Sequence, residues 1–105
     1  MDITTDKKEN YNLLKVSGRL DSTTALEFEN NLLSFIESGK ENIVDFSDLK
    51  YISSSGLRVL LVAAKKLSTA NEKLTIVSMQ DHIKEVFDIS GFTDIFNILP
   101  ENPHE

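Results

Sequence analysis

The segment Ile43–Leu61, IVDFSDLKYISSSGLRVLL, constrains the fold most strongly, because it requires a strand, a polar turn and a helix in immediate succession. Ile43–Phe46 is short and mostly apolar, which is typical of a central strand buried on both faces. Three serines and Gly56 follow the turn, and the apolar spacing after them predicts a helix from about Ser55 to Ser68. The serines are therefore expected on the surface at the positive end of a helix. Gly56 lets the backbone approach closely there, and a phosphate group would be favoured.

The rest of the chain alternates between strand and helix patterns. The strands Ile3–Thr5 and Tyr11–Ser17 are separated by the polar segment KKEN, which predicts an antiparallel hairpin. A first helix is expected to begin near Thr24, which has the spacing of a capping box with Glu27, and to end at a Gly39 cap. The remaining elements are a buried strand at Leu74–Met79, a third helix capped by Ser78 with Asp81 and ending at Gly91, and a strand or short helix at Ile95–Leu99.

Strands that alternate with helices predict an α/β fold. At 105 residues the chain is long enough for one domain with a modest core. We expect this domain over 1–99, with a mixed, mostly parallel sheet of four to five strands, an N-terminal antiparallel hairpin and three to four packed helices. Residues 100–105 are expected to form a flexible C-terminal tail.

Composition excludes several classes of function. The net charge is −6 and no basic cluster exists, so binding to nucleic acid is not expected. No apolar run approaches the roughly 18 residues that cross a bilayer, and MDITTDKKEN lacks the apolar core of a secretion signal. We therefore expect a cytoplasmic protein with no membrane partner. The absence of cysteine removes disulfides and thiolate metal sites. No phosphate loop, dinucleotide fingerprint or metal-ligand spacing predicts a cofactor or a metal.

The second helix carries apolar residues on two sides. At about 100° per residue, one arc holds the expected core stripe of Leu57, Leu60, Leu61, Ala64 and Leu67. The opposite side holds Ser55, Val59, Val62 and Lys66. Two interpretations of the valines stay open. In the first, the valines have no role in binding: a neighbouring helix covers them, or they are scattered surface residues. In the second, they form a docking stripe that a modified Ser55 could switch off by charge.

A serine between a strand and a helix is also found in hydrolases. The nucleophile elbow of those enzymes requires G-x-S-x-G, and here Ile52 and Ser53 precede Ser54 with no earlier glycine. A serine nucleophile also needs a base. His82 is expected at an exposed position in the third helix, and His104 lies in the tail. We therefore do not expect an enzyme.

Three segments together resemble the STAS domain family, and within it the anti-sigma factor antagonists. They are GRLDSTTA at Gly18–Ala25, IVDFSDLKYISSSGLRVLL at Ile43–Leu61 and HIKEVFDISGFTDIF at His82–Phe96, in the family's order and at its distances. The resemblance implies a small domain that binds a kinase which is also an anti-sigma factor, and thereby frees a sigma factor. It also implies that this kinase phosphorylates the serine before the glycine, Ser55, and that a phosphoserine phosphatase reverses the change.

The resemblance also points to a partner surface. Asp21 matches the family's acidic residue after the G-x-L element and is expected near the phosphorylated serine. The expected partner-binding residues are Asp21, Ser54, Gly56, Arg58, Val59 and Val62.

The choice of acceptor stays open among the three serines. Many family members have an aspartate where this chain has Ser53, which leaves Ser53 and Ser54 as further acceptors. Ser53 suits a helix cap, and the helical wheel favours Ser55. The alternative function is a STAS scaffold or ligand-sensing module in a larger regulatory assembly.

Overall fold

The strand and helix patterns become six strands and three helices in the computed structural model, which describes residues 1–105. In chain order they are β1 (Asp2–Lys7), β2 (Tyr11–Leu20), α1 (Ala25–Phe35), β3 (Glu41–Asp45), β4 (Leu49–Ile52), α2 (Ser54–Ser68), β5 (Thr75–Val77), α3 (Asp81–Ser90) and β6 (Asn97–Leu99). This confirms the predicted mixed α/β fold with an N-terminal antiparallel hairpin. The strand that the sequence did not predict is β4, which lies within the segment interpreted as a polar turn.

β2 organises the sheet because it pairs with three other strands. β1 runs antiparallel to it, β3 pairs in parallel with Tyr11–Lys15, and β4 pairs in parallel with Gly18–Leu20. β5 and β6 extend the sheet beyond β3, again in parallel, which gives the order β1-β2-β3-β5-β6. A register shift between Gly18 and Arg19 places Arg19 opposite Tyr51 of β4. The final residues of β2 and β4 therefore end side by side at one edge of the sheet.

The main core lies between one face of the sheet and the three helices. Along β2, alternate residues point into this core, so Asn12, Leu14 and Val16 are buried and their neighbours are less so. The Phe87 ring of α3 packs edge-on against Phe46 and Phe96, with centroids 6.5 and 5.6 Å apart. Aromatic packing thus ties α3 to the loop after β3 and to the segment before β6.

The helix ends follow the sequence in part. α3 ends at Gly91, whose φ of +75° is the left-handed conformation that favours glycine, as predicted. Its N-cap is Gln80 and not Ser78. α1 ends earlier than expected, with Ile36 as its C-cap, so the prediction of Gly39 as the cap is wrong. Of the caps predicted for α1 and α3, only the C-terminal cap of α3 is therefore confirmed.

Residues 100–105, expected to form a flexible tail, pack on the second face of the sheet. The His104 ring stacks on Tyr11 with centroids 4.1 Å apart, and His104 Nε2 lies 3.0 Å from Glu41 Oε2. Asn102 is buried, and its Oδ1 accepts a hydrogen bond from the His104 amide. Ile43, two residues from Glu41 and on the same face, is fully buried but lies outside the main core cluster. These contacts define a small second layer of the domain.

The close packing of α2 on β2 and β4 gives a test at Gly56. A Cβ atom at this position would lie 2.7 Å from Leu20 Cγ and 3.0 Å from Ile52 Cγ1. We expect Gly56→Ala to lower the free energy of unfolding by about 1–3 kcal/mol, because overpacking outweighs the better helix propensity of alanine. Urea unfolding measures this change, with the exposed Lys66→Ala on the same helix as the control. Unchanged stability in Gly56→Ala would contradict the close approach.

Candidate functional site

The ends of β2 and β4 meet the starts of α1 and α2 at one edge of the sheet. β2 ends at Leu20 and β4 ends at Ile52, and these two residues are paired in register. The Ser53 amide donates a hydrogen bond of 2.8 Å to the Leu20 carbonyl. Since Asp21 follows Leu20 and Ser54 follows Ser53, this bond brings the Asp21 turn and the serines of α2 to the same edge. The sequence separates these two groups, and the parallel pairing of β2 with β4 joins them.

The three serines at the start of α2 have different environments. Ser53 is the N-cap, and its Oγ accepts a hydrogen bond of 3.4 Å from the Gly56 amide, as predicted. Ser54 is exposed and Ser55 is half-buried. The buried side-chain atoms without a hydrogen-bond partner belong to Asn12 and Glu72 alone. The Ser55 hydroxyl, which also has no partner within the protein, therefore reaches solvent.

The first turn of α2 provides a favourable place for added negative charge. The amides at the start of a helix have no carbonyl partners within the helix, and the helix dipole is positive at this end. No acidic residue occupies the first turn of α2. Arg58 is exposed on the same helix, three residues after Ser55 and four after Ser54, which is the spacing of neighbouring side chains on a helix surface. A phosphate on either serine would therefore find an adjacent cation.

Asp21 organises the turn from β2 into α1. Its Oδ1 accepts hydrogen bonds from the Thr23 amide at 3.0 Å and the Thr23 hydroxyl at 2.7 Å, and Arg19 Nε lies 3.5 Å from Oδ2. The bonds from Thr23, with the Arg19 charge, hold the pKa of Asp21 below its ordinary value. The Thr24 hydroxyl also bonds within this turn and not to a helix amide, so the capping box predicted for Thr24 and Glu27 does not form.

The outward side of α2 differs from the prediction at Val59. Val62 is 37% exposed and Val59 is fully buried, so the interpretation in which both valines form an exposed docking stripe does not hold for Val59. α1 packs against α2, and Val59 belongs to the same core cluster as Leu32 of α1. Of the two interpretations left open by the sequence, coverage by a neighbouring helix is correct for Val59. Surface exposure is correct for Val62.

Two exposed residues at this edge were not predicted from the sequence. The Arg19 guanidinium carbon lies 4.2 Å from the centroid of the Tyr51 ring, and Tyr51 is 40% exposed. The two residues pair across β2 and β4, and β4 itself was missed. The one available signal was composition, because Arg19 and Arg58 are the only arginines in the chain and both fall within the segments that meet at the serines.

The two histidines lie away from the serines, and no metal-binding group is present. His82 Nε2 lies 2.7 Å from the Lys50 carbonyl oxygen and connects α3 to β4, and His104 belongs to the second layer. No group of three or more histidine, cysteine, aspartate or glutamate residues could hold a metal ion. None of the helices has the length and apolar character needed to cross a membrane.

The contrast between the two valines gives a second test. Val59→Ala should lower the free energy of unfolding by about 2 kcal/mol, because it removes buried methyl groups and leaves a cavity. Val62→Ala, on the same helix, should change it by less than about 0.5 kcal/mol. Denaturant unfolding of both variants makes the comparison, and equal losses would contradict the different burial of the two side chains.

The Asp21 turn predicts a pH effect. Because the pKa of Asp21 is lower in the folded than in the unfolded state, its hydrogen bonds stabilise the protein above the unfolded pKa. This contribution is lost as the pH falls through the folded value. Thr23→Val removes the hydroxyl bond and should raise the pKa of Asp21, as measured by NMR titration of its carboxyl carbon. Ser22→Ala, in the same turn, is the control and should leave that pKa unchanged. An unaltered titration in Thr23→Val would show that the Thr23 hydroxyl does not lower the pKa of Asp21.

Comparison with known proteins identifies the family. The STAS domain model matches residues 2–103. BtrV of Bordetella bronchiseptica, which is named as an anti-sigma factor antagonist, is 36% identical over 99 residues that span 93% of this chain and 85% of that protein. The structure of an anti-sigma factor antagonist from Thermotoga maritima aligns with a TM-score of 0.85 at 19% identity, covering 97% of this chain and 89% of that one.

A further structural neighbour is SpoIIAA of Bacillus in its phosphorylated form. It aligns with a TM-score of 0.69 at 15% identity, covering 95% of this chain and 93% of that one. At such identities the two structures establish the fold, while the family model and the 36% identical relative establish membership. The chain therefore belongs to the STAS domain family.

Proposed function

We propose that this chain is an anti-sigma factor antagonist controlled by phosphorylation of Ser55. In its unphosphorylated form it binds an anti-sigma factor that is also a serine kinase, and the bound sigma factor is released. Phosphorylation ends the binding, and a phosphoserine phosphatase restores it. The observation that carries the proposal is the unpaired Ser55 hydroxyl, which reaches solvent in the first turn of α2. Such a function places the chain in the cytoplasm, where sigma factors act.

The relatives support this function. BtrV is named as an anti-sigma factor antagonist and covers nearly all of this chain. SpoIIAA, which has the same fold, is known in a phosphorylated form. Asp21 and Arg58 are accessible at the edge that carries the serines, and Val62 is exposed two turns further along α2. We therefore propose that these residues, with Ser54, contact the anti-sigma factor.

Two of the residues expected to bind the partner are buried below the surface and support it. Val59 and Gly56 are both buried. Gly56 sets the position of the first turn of α2 through its contact with Leu20, and Val59 fixes the helix against α1 as part of the core. We propose that they hold the surface in place and do not themselves touch the partner.

The energetics allow a switch that leaves the domain folded. A phosphoserine carries about −1.5 to −2 charges at neutral pH. At a helix N-terminus this charge stabilises the domain by about 0.3–1 kcal/mol. In a docked interface the same group loses its hydration and costs several kcal/mol unless the partner pairs with it. Since about 1.4 kcal/mol is a tenfold change in affinity, one phosphate is enough to separate the two proteins.

The environments of the serines rank them as acceptors. The Ser53 hydroxyl serves as the helix cap, so it is engaged within the protein and is less available to a kinase than a free hydroxyl. Ser54 is more exposed than Ser55, which keeps it as the second candidate. Ser55 directly precedes Gly56 and lies nearer to Val62 on the helical wheel. We therefore propose Ser55 as the acceptor.

The test uses the purified chain with the anti-sigma factors of its source organism and ATP. Wild type should bind one of them, release its sigma factor and receive one phosphate, which mass spectrometry should map to Ser55. Ser55→Asp should lose binding by at least about tenfold, while its melting temperature stays within a few degrees of wild type. Ser55→Ala should bind but accept no phosphate.

Three results would change this assignment. Phosphate incorporated into Ser55→Ala would move the acceptor to Ser54 or Ser53, and each matched alanine variant would identify which. Full binding by Ser55→Asp would contradict the charge switch. A chain that transfers no phosphate and displaces no sigma factor would instead be a scaffold or a ligand-sensing module.

A further inference from the structure

Arg19 and Tyr51 stand out because they are exposed, paired and held in position without contributing much to the fold. The guanidinium carbon of Arg19 lies 4.2 Å from the centroid of the Tyr51 ring, and Arg19 Nε lies 3.5 Å from Asp21 Oδ2. The Arg19 side chain is nevertheless 63% exposed. Ion pairs and cation–π contacts at such exposed positions contribute little to stability. Protein stability therefore does not explain why the two side chains are placed together.

The contacts with Tyr51 and Asp21 instead hold the flexible Arg19 side chain in one position at the surface. The ring supports one face of the guanidinium, and the Asp21 carboxylate faces Nε. The two terminal amino groups of Arg19 make no hydrogen bond within the protein and remain available for a planar acceptor. A carboxylate matches this donor pair because arginine can bind both of its oxygens at once. Arginine and tyrosine are also the residue types most enriched at the energetic centres of interfaces.

The position of the pair links it to the proposed switch. Arg19 immediately precedes Leu20, whose carbonyl accepts the hydrogen bond from the α2 cap residue Ser53. Tyr51 lies two residues before Ser53. Both arginines of a chain whose net charge is −6 thus lie on segments that adjoin the serines, Arg19 near the end of β2 and Arg58 on α2. The exposed Arg19 guanidinium, with its two terminal amino groups free of hydrogen bonds within the protein, favours an acidic residue on the partner.

We propose that Arg19 and Tyr51 form a preassembled anchor for an acidic patch on the anti-sigma factor, with an aspartate or glutamate of the partner bound by Arg19. This inference rests on the proposed function and extends its interface from α2 onto the ends of β2 and β4. It also explains the direction of the switch. A phosphate on Ser55 adds a dianion to the same proposed interface, where it repels the acidic patch of the partner.

The test measures the dissociation constant of the complex with the anti-sigma factor by calorimetry at several salt concentrations. Arg19→Gln should raise the dissociation constant at least about tenfold and reduce its dependence on salt. Tyr51→Ala should also weaken binding, because Arg19 loses its support, whereas Tyr51→Phe keeps the ring and should bind like wild type. Lys84→Gln is the control, since Lys84 is a similarly exposed cation on α3, and it should leave the affinity unchanged.

A charge exchange identifies the contact itself. Replacing the matching acidic residue of the anti-sigma factor by arginine should weaken binding to wild type and restore affinity for Arg19→Glu. Arg19→Lys, which keeps the charge but not the planar donor pair, should fall between wild type and Arg19→Gln. Melting temperatures of the variants confirm that each remains folded.

The outcomes separate this inference from the function on which it rests. If wild type binds the anti-sigma factor and Arg19→Gln binds within twofold of it, the anchor is wrong while the proposed function stands. Equal losses in Arg19→Gln and Lys84→Gln would show a general charge effect and would also overturn the anchor. A wild-type chain that binds no anti-sigma factor would overturn both.

Discussion

The candidate site depends on the close contact between α2 and the paired ends of β2 and β4. Gly56 leaves no room for a side chain against Leu20 and Ile52, so the first turn of the helix lies almost directly on the strands. The Ser53 amide is bonded to the Leu20 carbonyl, and its hydroxyl caps the helix. These contacts fix where α2 begins. Ser54 and Ser55 consequently begin α2 at the edge of the sheet, and their hydroxyls have no hydrogen-bond partner within the protein.

Features that are determined by residues close in sequence could be predicted. Gly91 ends α3 because a left-handed residue is required there, and Ser53 caps α2 because its hydroxyl reaches an amide of the first turn. The alternation of strand and helix follows from the spacing of apolar residues, and it predicted the mixed α/β sheet correctly. To predict that the serines lie at the start of a helix, it was enough to recognise that the helix begins directly after Ile52.

Features that depend on tertiary contacts could not be predicted in the same way. Val59 and Val62 lie only about 60° apart on the helix, and the packing of α1 decides that one is buried and the other exposed. The Arg19–Tyr51 pair requires both β4 and the register shift after Gly18, neither of which has a local signal. The position of the serines at the start of a helix could thus be predicted from the sequence, while the pairing of β2 with β4 beside them could not.

The second layer also determines how this protein can be handled in solution experiments. Residues 100–105 contact the sheet through His104, which stacks on Tyr11, and Asn102 is buried, so a segment joined after Glu105 would start next to packed residues. The turn at Lys8–Asn10 is exposed instead, and it precedes β2 at the end opposite Leu20. Since β2 is 10 residues long, a fluorophore or an immobilisation tether at Asn10 would sit about 30 Å from the serines. A label or tether at that position would leave the edge that carries Ser54 and Ser55 unobstructed.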